Sequence, residues 1–254
     1  MELSARSLAK GAMNWVIGPL GIEVVRKDHH DWSDTRNFIP IEDTLAGAKL
    51  LGLSVGDYID TVLNNIPGAT QFTIDEMKRL GVFDGPVANV LEIGPGSGRY
   101  LEKTIAACSP GHYEIYETSR PWASFLTREY GVIERPTDGR RLASTPDASC
   151  DLVHAHKVFS SIPFVPTVTY WGEMERVARR GAHIVFDIMT EACLNAETVG
   201  KWAASGIDNG AYPAAMPRGV AIEVFAANGC DLIGSFLVPM GEEGHTETFV
   251  FRKN

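Results

Sequence analysis

The sequence contains few cysteines, and no two of them lie close together along the chain. The four are spread between residues 108 and 230: Cys108, Cys150, Cys193 and Cys230. None belongs to a C-x-x-C pair, the spacing typical of zinc sites and of redox-active disulfides. We therefore expect neither a zinc site nor a disulfide framework, but buried free thiols.

Clusters of basic residues and long apolar runs are missing as well. The 254 residues include 23 Lys and Arg against 32 Asp and Glu, so the formal net charge is -9. Nucleic-acid binding requires clustered cations that neutralise phosphates, so no nucleic-acid partner is expected. The apolar stretch over residues 15–20 is broken by Gly18 and Pro19 and is too short to span a bilayer. We therefore expect no membrane partner and a cytoplasmic protein.

The chain divides by pattern into a helical segment and an α/β segment. Residues 1–80 carry no alternating strand pattern, and stretches such as 41–51 have helical spacing. We predict a helical cap over 1–80, which is either a lid or a plain extension covering the sheet. Strands and helices alternate within 81–254, which favours one domain built on a parallel sheet. An irregular insertion at about 191–217 is predicted to form a substrate loop.

The most informative stretch runs from Asn89 to Tyr100 and reads Asn-Val-Leu-Glu-Ile-Gly-Pro-Gly-Ser-Gly-Arg-Tyr. Its apolar start is typical of a buried strand, and helical spacing resumes after the glycines, which predicts strand, glycine turn and helix in succession. Glycine allows positive φ and lets a ligand approach the backbone closely. The turn would lie at the carboxyl end of the first strand, where open α/β sheets bind ligands.

The spacing of the glycines separates two classes of ligand. Dinucleotide-binding turns read G-x-G-x-x-G, whereas Gly94, Gly96 and Gly98 form Gly-x-Gly-x-Gly. The predicted second strand, 112–116, is followed by Glu117, and an acidic residue about 20 positions beyond the turn is placed to bind both ribose hydroxyls. These two features predict a nucleoside ligand, with a tight turn in some other α/β protein as the alternative.

The last part of the chain predicts how the sheet ends. Strands are expected at 150–155, 182–188, 231–238 and 247–251. Residues 239–244 are too few for a crossover helix, so the last two strands must form an antiparallel hairpin. The predicted fold class is α/β: a Rossmann-like, seven-stranded, mostly parallel sheet with a terminal antiparallel hairpin and a helical amino-terminal cap.

The glycine turn, the carboxylate after the second strand and the terminal hairpin resemble the class I S-adenosylmethionine-dependent methyltransferases. This resemblance runs from about residue 86 to 254 and implies S-adenosylmethionine as cofactor. It also implies that an acidic residue after the third strand, which is predicted at 132–135, contacts the adenine amino group. Asp138 occupies that position, although an Asp-Gly turn is the alternative. The cofactor-binding residues that the resemblance implies are Glu92, Gly94, Pro95, Gly96, Gly98, Tyr100, Glu117, Thr118, Trp122, Asp138, Gly139, His156 and Lys157.

The stretch Val153–Phe159, which reads Val-His-Ala-His-Lys-Val-Phe, is similar to the same region of bacterial sugar O-methyltransferases. This similarity implies a small hydroxylated acceptor, preferably a saccharide. Methyl transfer depends on holding the acceptor close and aligned, and a protonated hydroxyl usually needs a base within reach. His156, at the predicted tip of the fourth strand, is the first candidate base, and His154 is the second.

A divalent cation would be another way to activate a hydroxyl. Some small-molecule methyltransferases bind one at the tips of the fourth and fifth strands, which here offer His156, Asp187 and, nearby, Glu191. Magnesium prefers oxygen ligands, so the histidine argues against strict metal dependence. Three other functions stay open: N- or C-methylation of a different metabolite, non-catalytic nucleoside binding, and nicotinamide-dependent oxidoreduction, against which the glycine spacing argues. Assembly into a homo-oligomer is left open too.

Overall fold

The computed structural model describes residues 39–205, 213–240 and 244–254. The amino-terminal part of the predicted helical cap, 1–38, lies outside the described residues, and so does part of the predicted substrate loop, 206–212. Within the described ranges, no helix combines the length and the apolar character that crossing a membrane would need.

Helices precede the first strand, and strands alternate with helices after it. The helices are α1 (Ile41–Leu51), α2 (Val55–Tyr58), α3 (Ala69–Arg79), α4 (Arg99–Cys108), α5 (Arg120–Tyr130), α6 (Phe164–Val177), α7 (Ala196–Ser205) and α8 (Arg218–Ala227). A π-helical turn, Ile59–Leu63, continues α2. The strands are β1 (Asn89–Ile93), β2 (His112–Tyr116), β3 (Ile133–Glu134), β4 (Cys150–Ala155), β5 (Ala178–Ile188), β6 (Cys230–Met240) and β7 (Gly244–Lys253).

The described strands form one seven-stranded sheet in the order β3-β2-β1-β4-β5-β7-β6. β1 to β5 pair in parallel, whereas β7 is antiparallel to both β5 and β6. The predicted fold class, a mostly parallel sheet closed by an antiparallel hairpin, is confirmed. The strand order reverses between β1 and β4, and ligands of such sheets bind outside the carboxyl ends of the strands at that point. The glycine turn, residues 94–98, follows β1 there.

Successive side chains of the central strands enter two apolar cores, one on each face of the sheet. Val90, Leu152 and Val185 belong to one core, and Leu91, Val153 and Ile184 belong to the other. All six are fully buried. Since side chains alternate across a strand, burial on both faces explains why these strands are continuous apolar runs in the sequence.

The described helices before β1 are attached to α4, the helix that follows the glycine turn. Nη1 of Arg99 donates to the fully buried carboxylate of Asp60 at 2.8 Å, and the same carboxylate accepts from the amide and hydroxyl of Thr70. Ser54 caps the first turn of α2, because its hydroxyl accepts from the Asp57 amide at 3.1 Å. A buried ion pair thus holds the turn after α2 against the start of α4.

The start of β5 differs from the prediction, which began the strand at residue 182. α6 ends at Val177, and β5 begins directly at Ala178. Cys150 of β4 pairs with Ala178, but Leu152, two residues later, pairs with His183. The extra residues of β5 form a bulge, and Gly181 adopts the positive φ of 81° that the bulge contains.

The predicted insertion at 191–217 is not irregular throughout, because it contains α7. Oδ1 of Asn195 accepts from the amide of Thr198 at 2.9 Å, which satisfies one free amide in the first turn of that helix. An asparagine ahead of helix-forming residues was therefore the signal that the prediction overlooked.

Candidate functional site

Backbone hydrogen bonds fix the conformation of the glycine turn. Gly94, Gly96 and Gly98 have φ values of 60°, 54° and 80°, a left-handed conformation that side chains with a Cβ rarely adopt. The Gly94 amide donates to the carbonyl of Tyr116 at 2.8 Å, and the Gly98 amide donates to the carbonyl of Pro95 at 2.9 Å. The turn is therefore fixed to the end of β2 as well as to β1.

The three glycines have different surroundings. A Cβ at Gly94 would lie 2.8 Å from Cγ2 of Val158, and a Cβ at Gly98 would overlap Cδ2 of Leu126. A Cβ at Gly96 would have no neighbouring atom within 4 Å. Gly94 and Gly98 thus allow close packing inside the protein, whereas Gly96 leaves open space above the turn.

Glu117 lies at the end of β2 and joins this turn. Its side chain is buried, its Oε2 accepts from the Gly96 amide at 2.6 Å, and its Oε1 accepts from the Ser119 amide at 2.7 Å. Burial raises the pKa of Glu117, while the hydrogen bonds from the backbone act in the opposite direction. The next residue, Thr118, is exposed. Glu117, the residue predicted to bind the ribose hydroxyls, is therefore hydrogen-bonded to Gly96, the glycine with open space beside it.

Asp138 and Gly139 form a turn beyond β3. Oδ1 of Asp138 accepts from the amides of Arg140 and Arg141 at 2.8 Å each, and these bonds lower the pKa of this exposed carboxyl. Burial raises the pKa of Tyr170 to about 12, and the charges of Asp138 and Glu117 add to that rise. Both carboxylates thus raise the pKa of the same tyrosine, and the adenine contact of Asp138 stays a prediction.

His156 directly follows β4 and stacks on Tyr100 of α4. The two ring centroids are 4.1 Å apart with an interplanar angle of 19°. His156 is buried, and its Nε2 has no hydrogen-bond partner in the described part of the chain. Burial, followed by the charges of Lys157 and Arg99, lowers the pKa of His156 to about 3. The imidazole is therefore neutral at physiological pH, and one of its nitrogens is unpaired.

Lys157 connects the ends of β4 and β5. Its backbone amide donates to Oδ1 of Asp187 at 2.6 Å, its Nζ lies 3.3 Å from Oδ2, and its Nζ also donates to the Thr246 hydroxyl. Its φ of 61° shows that the backbone turns sharply at this position. Asp187 is buried and orients this turn, so the carboxylate that was predicted as a metal ligand is bound to a lysine.

The predicted metal ligands do not form an oxygen-rich site. Glu191 is exposed, and its Oε2 accepts from the Arg218 amide at 3.1 Å. No group of three or more His, Cys, Asp or Glu side chains that could hold a metal ion occurs among the described residues. Magnesium binding requires several oxygen donors around one point. These side chains therefore do not fit such an ion, and we assign no catalytic step to a metal.

Glu92 and His154 belong to a buried polar group on one face of the sheet. The hydroxyl of Tyr113 donates to Oε2 of Glu92 at 2.7 Å and lies 2.9 Å from Nε2 of His154. Both side chains are almost inaccessible to solvent, with exposed fractions of 1% and 0%. Burial lowers the pKa of His154 and raises that of Glu92 to about 8. His154, the second candidate base, is therefore enclosed in the core.

Replacing Glu92 with glutamine is expected to remove a pH dependence of folding. Because burial raises the folded-state pKa from 4.5 to about 8, the folded chain keeps a proton that the unfolded chain loses. The contribution of protonated Glu92 to the free energy of unfolding is therefore complete below pH 4.5. It falls by about 1.4 kcal/mol per pH unit between pH 4.5 and about pH 8.

Urea unfolding at pH 5, 6, 7 and 8 measures this fall. The slope for the Glu92→Gln variant should be smaller than that of wild type by about 1.4 kcal/mol per pH unit, whereas Glu129→Gln, at an exposed position on α5, should keep the wild-type slope. Parallel stability curves for wild type and Glu92→Gln would contradict the assignment of a raised pKa to Glu92.

Arg99 was not among the predicted site residues, and the cofactor contact predicted for Trp122 stays a prediction. The Arg99 guanidinium lies 5.0 Å from the Tyr100 ring centroid and pairs with Asp60. An arginine directly after Gly98 was the available signal. Trp122 is 1% exposed, and its indole N–H donates to the Ile39 carbonyl at 2.9 Å. Trp122 thus packs against the described amino-terminal helices, away from solvent.

No protein-family model matches the sequence, and no curated protein does either. Solved structures do match. The N-methyltransferase NodS from Bradyrhizobium japonicum, in complex with S-adenosyl-L-homocysteine, is 16% identical with a TM-score of 0.57, over 78% of this chain and 92% of its own. The chain has the class I methyltransferase fold.

A second structure with this methyltransferase fold is magnesium protoporphyrin IX methyltransferase from Synechocystis, with bound S-adenosyl-L-homocysteine. It is 12% identical with a TM-score of 0.57, over 73% of this chain and 84% of its own. The same enzyme with bound S-adenosylmethionine aligns over 91% of this chain at 9% identity and a TM-score of 0.56. Likeness at such identities establishes the methyltransferase fold and leaves the reaction to be argued from the site.

Proposed function

We propose that this chain is an S-adenosylmethionine-dependent methyltransferase that acts on a small molecule. The observation that carries the proposal is the open space at Gly96 beside the buried carboxylate of Glu117. A ligand can approach the backbone only where no side chain and no packed neighbour intervenes, and Gly96 alone of the three glycines meets that condition. NodS and the Synechocystis enzyme, which share the fold, were solved with this cofactor or its product.

The resemblance to class I methyltransferases supports the proposed roles of the residues. The glycine turn would hold the cofactor, Glu117 would accept hydrogen bonds from its ribose hydroxyls, and Asp138 would bind the adenine amino group. When bound, S-adenosylmethionine supplies an electrophilic methyl group. Tyr100 and His156 lie where β4 ends, next to the turn, so they would line the space between cofactor and acceptor.

The proposed acceptor is a hydroxyl, and a saccharide is the preferred class. Residues 153–159 support this choice through their similarity to sugar O-methyltransferases. His156 would accept the hydroxyl proton at its unpaired Nε2, since its low pKa keeps the imidazole neutral above about pH 4. The reaction would then rely mainly on alignment of the acceptor, with His156 removing the proton as the new bond forms.

An amine acceptor is the second candidate, and the low pKa of His156 favours it. General bases work best when their pKa lies near the working pH, and a value of about 3 makes His156 a weak base. A neutral amine already presents its lone pair and needs less help. The pH profiles differ: base-assisted hydroxyl methylation should be flat from pH 5 to 9, whereas amine methylation should rise as the acceptor loses its proton.

Titration calorimetry with S-adenosylhomocysteine and with NAD tests the proposed cofactor. Binding of S-adenosylhomocysteine alone is expected, and binding of NAD alone would overturn the proposal. A panel of monosaccharides, phenols and amines with labelled cofactor, with and without a chelator, then tests the acceptor. Cofactor binding without transfer to any acceptor would favour a non-catalytic nucleoside-binding protein.

Replacing Glu117 with glutamine is expected to weaken S-adenosylhomocysteine binding about tenfold. Both carboxylate oxygens accept from backbone amides, so an NH₂ group at either position would face a donor and shift the side chain away from the ribose. Calorimetry measures the change. Glu134→Gln, at an exposed position of β3, is the matched control and should bind like wild type; equal affinities for both variants would remove Glu117 from the site.

A further inference from the structure

A cavity of about 430 Å³ lies at the opposite edge of the sheet from the glycine turn. It is lined by the connection between α3 and β1, by the first residues of β4 and β5, and by the end of β7. Its volume lies in the range of about 300–1,000 Å³ that is usual for small-molecule sites. The charged and titratable residues of its lining are Asp84, Asp151, Arg179, His183 and Arg252.

One side of the cavity is formed by an ion pair that has no net charge and is fixed by backbone hydrogen bonds. Arg179 forms an ion pair with Oδ1 of Asp151. Oδ2 of Asp151 accepts from the amides of Ala88 and Asn89, at 2.9 and 2.8 Å, at the start of β1. Asp151 is 5% exposed, so its charge is satisfied within the protein. This carboxylate therefore does not repel an anion as a free carboxylate would.

The other side of the cavity carries one cation, Arg252, and one exposed carboxylate, Asp84. No side-chain hydrogen bond or ion pair joins the Arg252 guanidinium to another residue in the described ranges. Arg252 pairs by register with His183 of β5. Burial, together with the charge of Arg252, lowers the pKa of His183, while Asp84 acts in the opposite direction. The His183 ring is therefore mainly neutral at physiological pH and can donate a hydrogen bond beside the guanidinium.

We propose that this cavity binds a small anion that carries a carboxylate or a phosphate group. The planar guanidinium of Arg252 offers two parallel N–H donors, a geometry that matches either group. His183 offers a further donor, and the neutral Arg179–Asp151 pair forms another part of the lining. The anion would bind on the Arg252 side, away from the carboxylate of Asp84. The site is separate from the proposed methyl-transfer site, because it lies at the amino ends of β1, β4 and β5 rather than at their carboxyl ends.

Calorimetric titration of the full chain with inorganic phosphate and with succinate, at constant ionic strength, tests the proposal. At least one of the two should bind, and the one that binds more tightly identifies the preferred group. Arg252→Gln should weaken that binding about tenfold. Arg180→Gln is the matched control, because Arg180 is an exposed arginine on β5 that does not line the cavity, and it should bind like wild type.

Two results would overturn the proposal: no binding of either anion to wild type, or equal weakening by the two arginine substitutions. Equal weakening would mean that the anions respond only to net charge. Circular dichroism should show both variants folded, since both side chains are exposed. Affinity for S-adenosylhomocysteine should stay at the wild-type value in both variants, so failure of the anion site and failure of the cofactor site are distinguishable.

Discussion

Replacing Gly96 with alanine is expected to weaken S-adenosylhomocysteine binding by about 100-fold while the chain stays folded. The new methyl group would meet no protein atom within 4 Å, so packing is preserved. It would occupy the open space next to the Glu117 carboxylate, where the ligand has to approach the backbone. Calorimetry measures the affinity, and thermal unfolding measures the stability.

A control for backbone strain is available at Gly131. Gly131 ends α5 with a φ of 68°, and a Cβ there would also have no neighbour within 4 Å. Alanine at either position costs about 1–2 kcal/mol for the left-handed conformation. Gly131→Ala should therefore lose similar stability and keep its affinity. Unchanged affinity in Gly96→Ala would show that the ligand does not approach this glycine.

Gly98→Ala provides the contrast. A Cβ at Gly98 would overlap Cδ2 of Leu126, which is fully buried between α5 and the sheet. This variant should be destabilised more than Gly96→Ala, because overpacking adds to the cost of the positive φ. Its loss of binding would follow from disturbed packing rather than from a blocked ligand, and a comparison of the two melting temperatures separates these causes.

Replacing His156 with alanine is expected to lower turnover about 100-fold and to leave S-adenosylhomocysteine affinity within about threefold of wild type. The substitution removes the unpaired Nε2 that would accept the acceptor's proton. It also removes the ring that stacks on Tyr100, so the alignment of the acceptor is lost together with the base. Initial rates with labelled cofactor and calorimetry measure the two quantities.

His154→Ala separates the base from its neighbour. The two imidazole centroids are 5.2 Å apart, but His154 is fully enclosed and contacts the Tyr113 hydroxyl. This variant should lose stability, because Tyr113 loses a polar partner in the core, and should retain turnover in the fraction that is folded. Full turnover in His156→Ala would assign the base elsewhere, with His154 and then Asp187 as the next candidates.

The strands and their order of appearance were predictable because their residues are buried on both faces. Val90 and Leu91, or Leu152 and Val153, read as apolar pairs and point into different cores. The terminal hairpin was predictable because so few residues join its strands. The bulge in β5 was not, because a glycine after a helical pattern is equally suited to ending a helix and to entering a strand with positive φ.

The sequence allowed the residues of the candidate site to be predicted, but only some of the contacts between them. Local spacing places Gly96 and Glu117 at the ends of neighbouring parallel strands, so their proximity follows from pairing of β1 with β2. The buried pair of Arg99 with Asp60, by contrast, joins residues 39 positions apart. No local pattern reports such a contact, because it depends on how a helical segment packs against the sheet.

The amino-acid pattern alone predicts the sheet, its closing hairpin and the glycine turn, because hydrophobic periodicity and chain length between strands restrict the topology. Tertiary packing decides how residues of the same type differ in their surroundings, as the three glycines of the turn and the two histidines show. Leu126 and Val158 occupy the space beside Gly98 and Gly94, so Gly96 is left open. Contacts likewise distinguish two neighbouring buried histidines: His154 contacts the Tyr113 hydroxyl in the core, and His156 stacks on Tyr100 at the end of the strand.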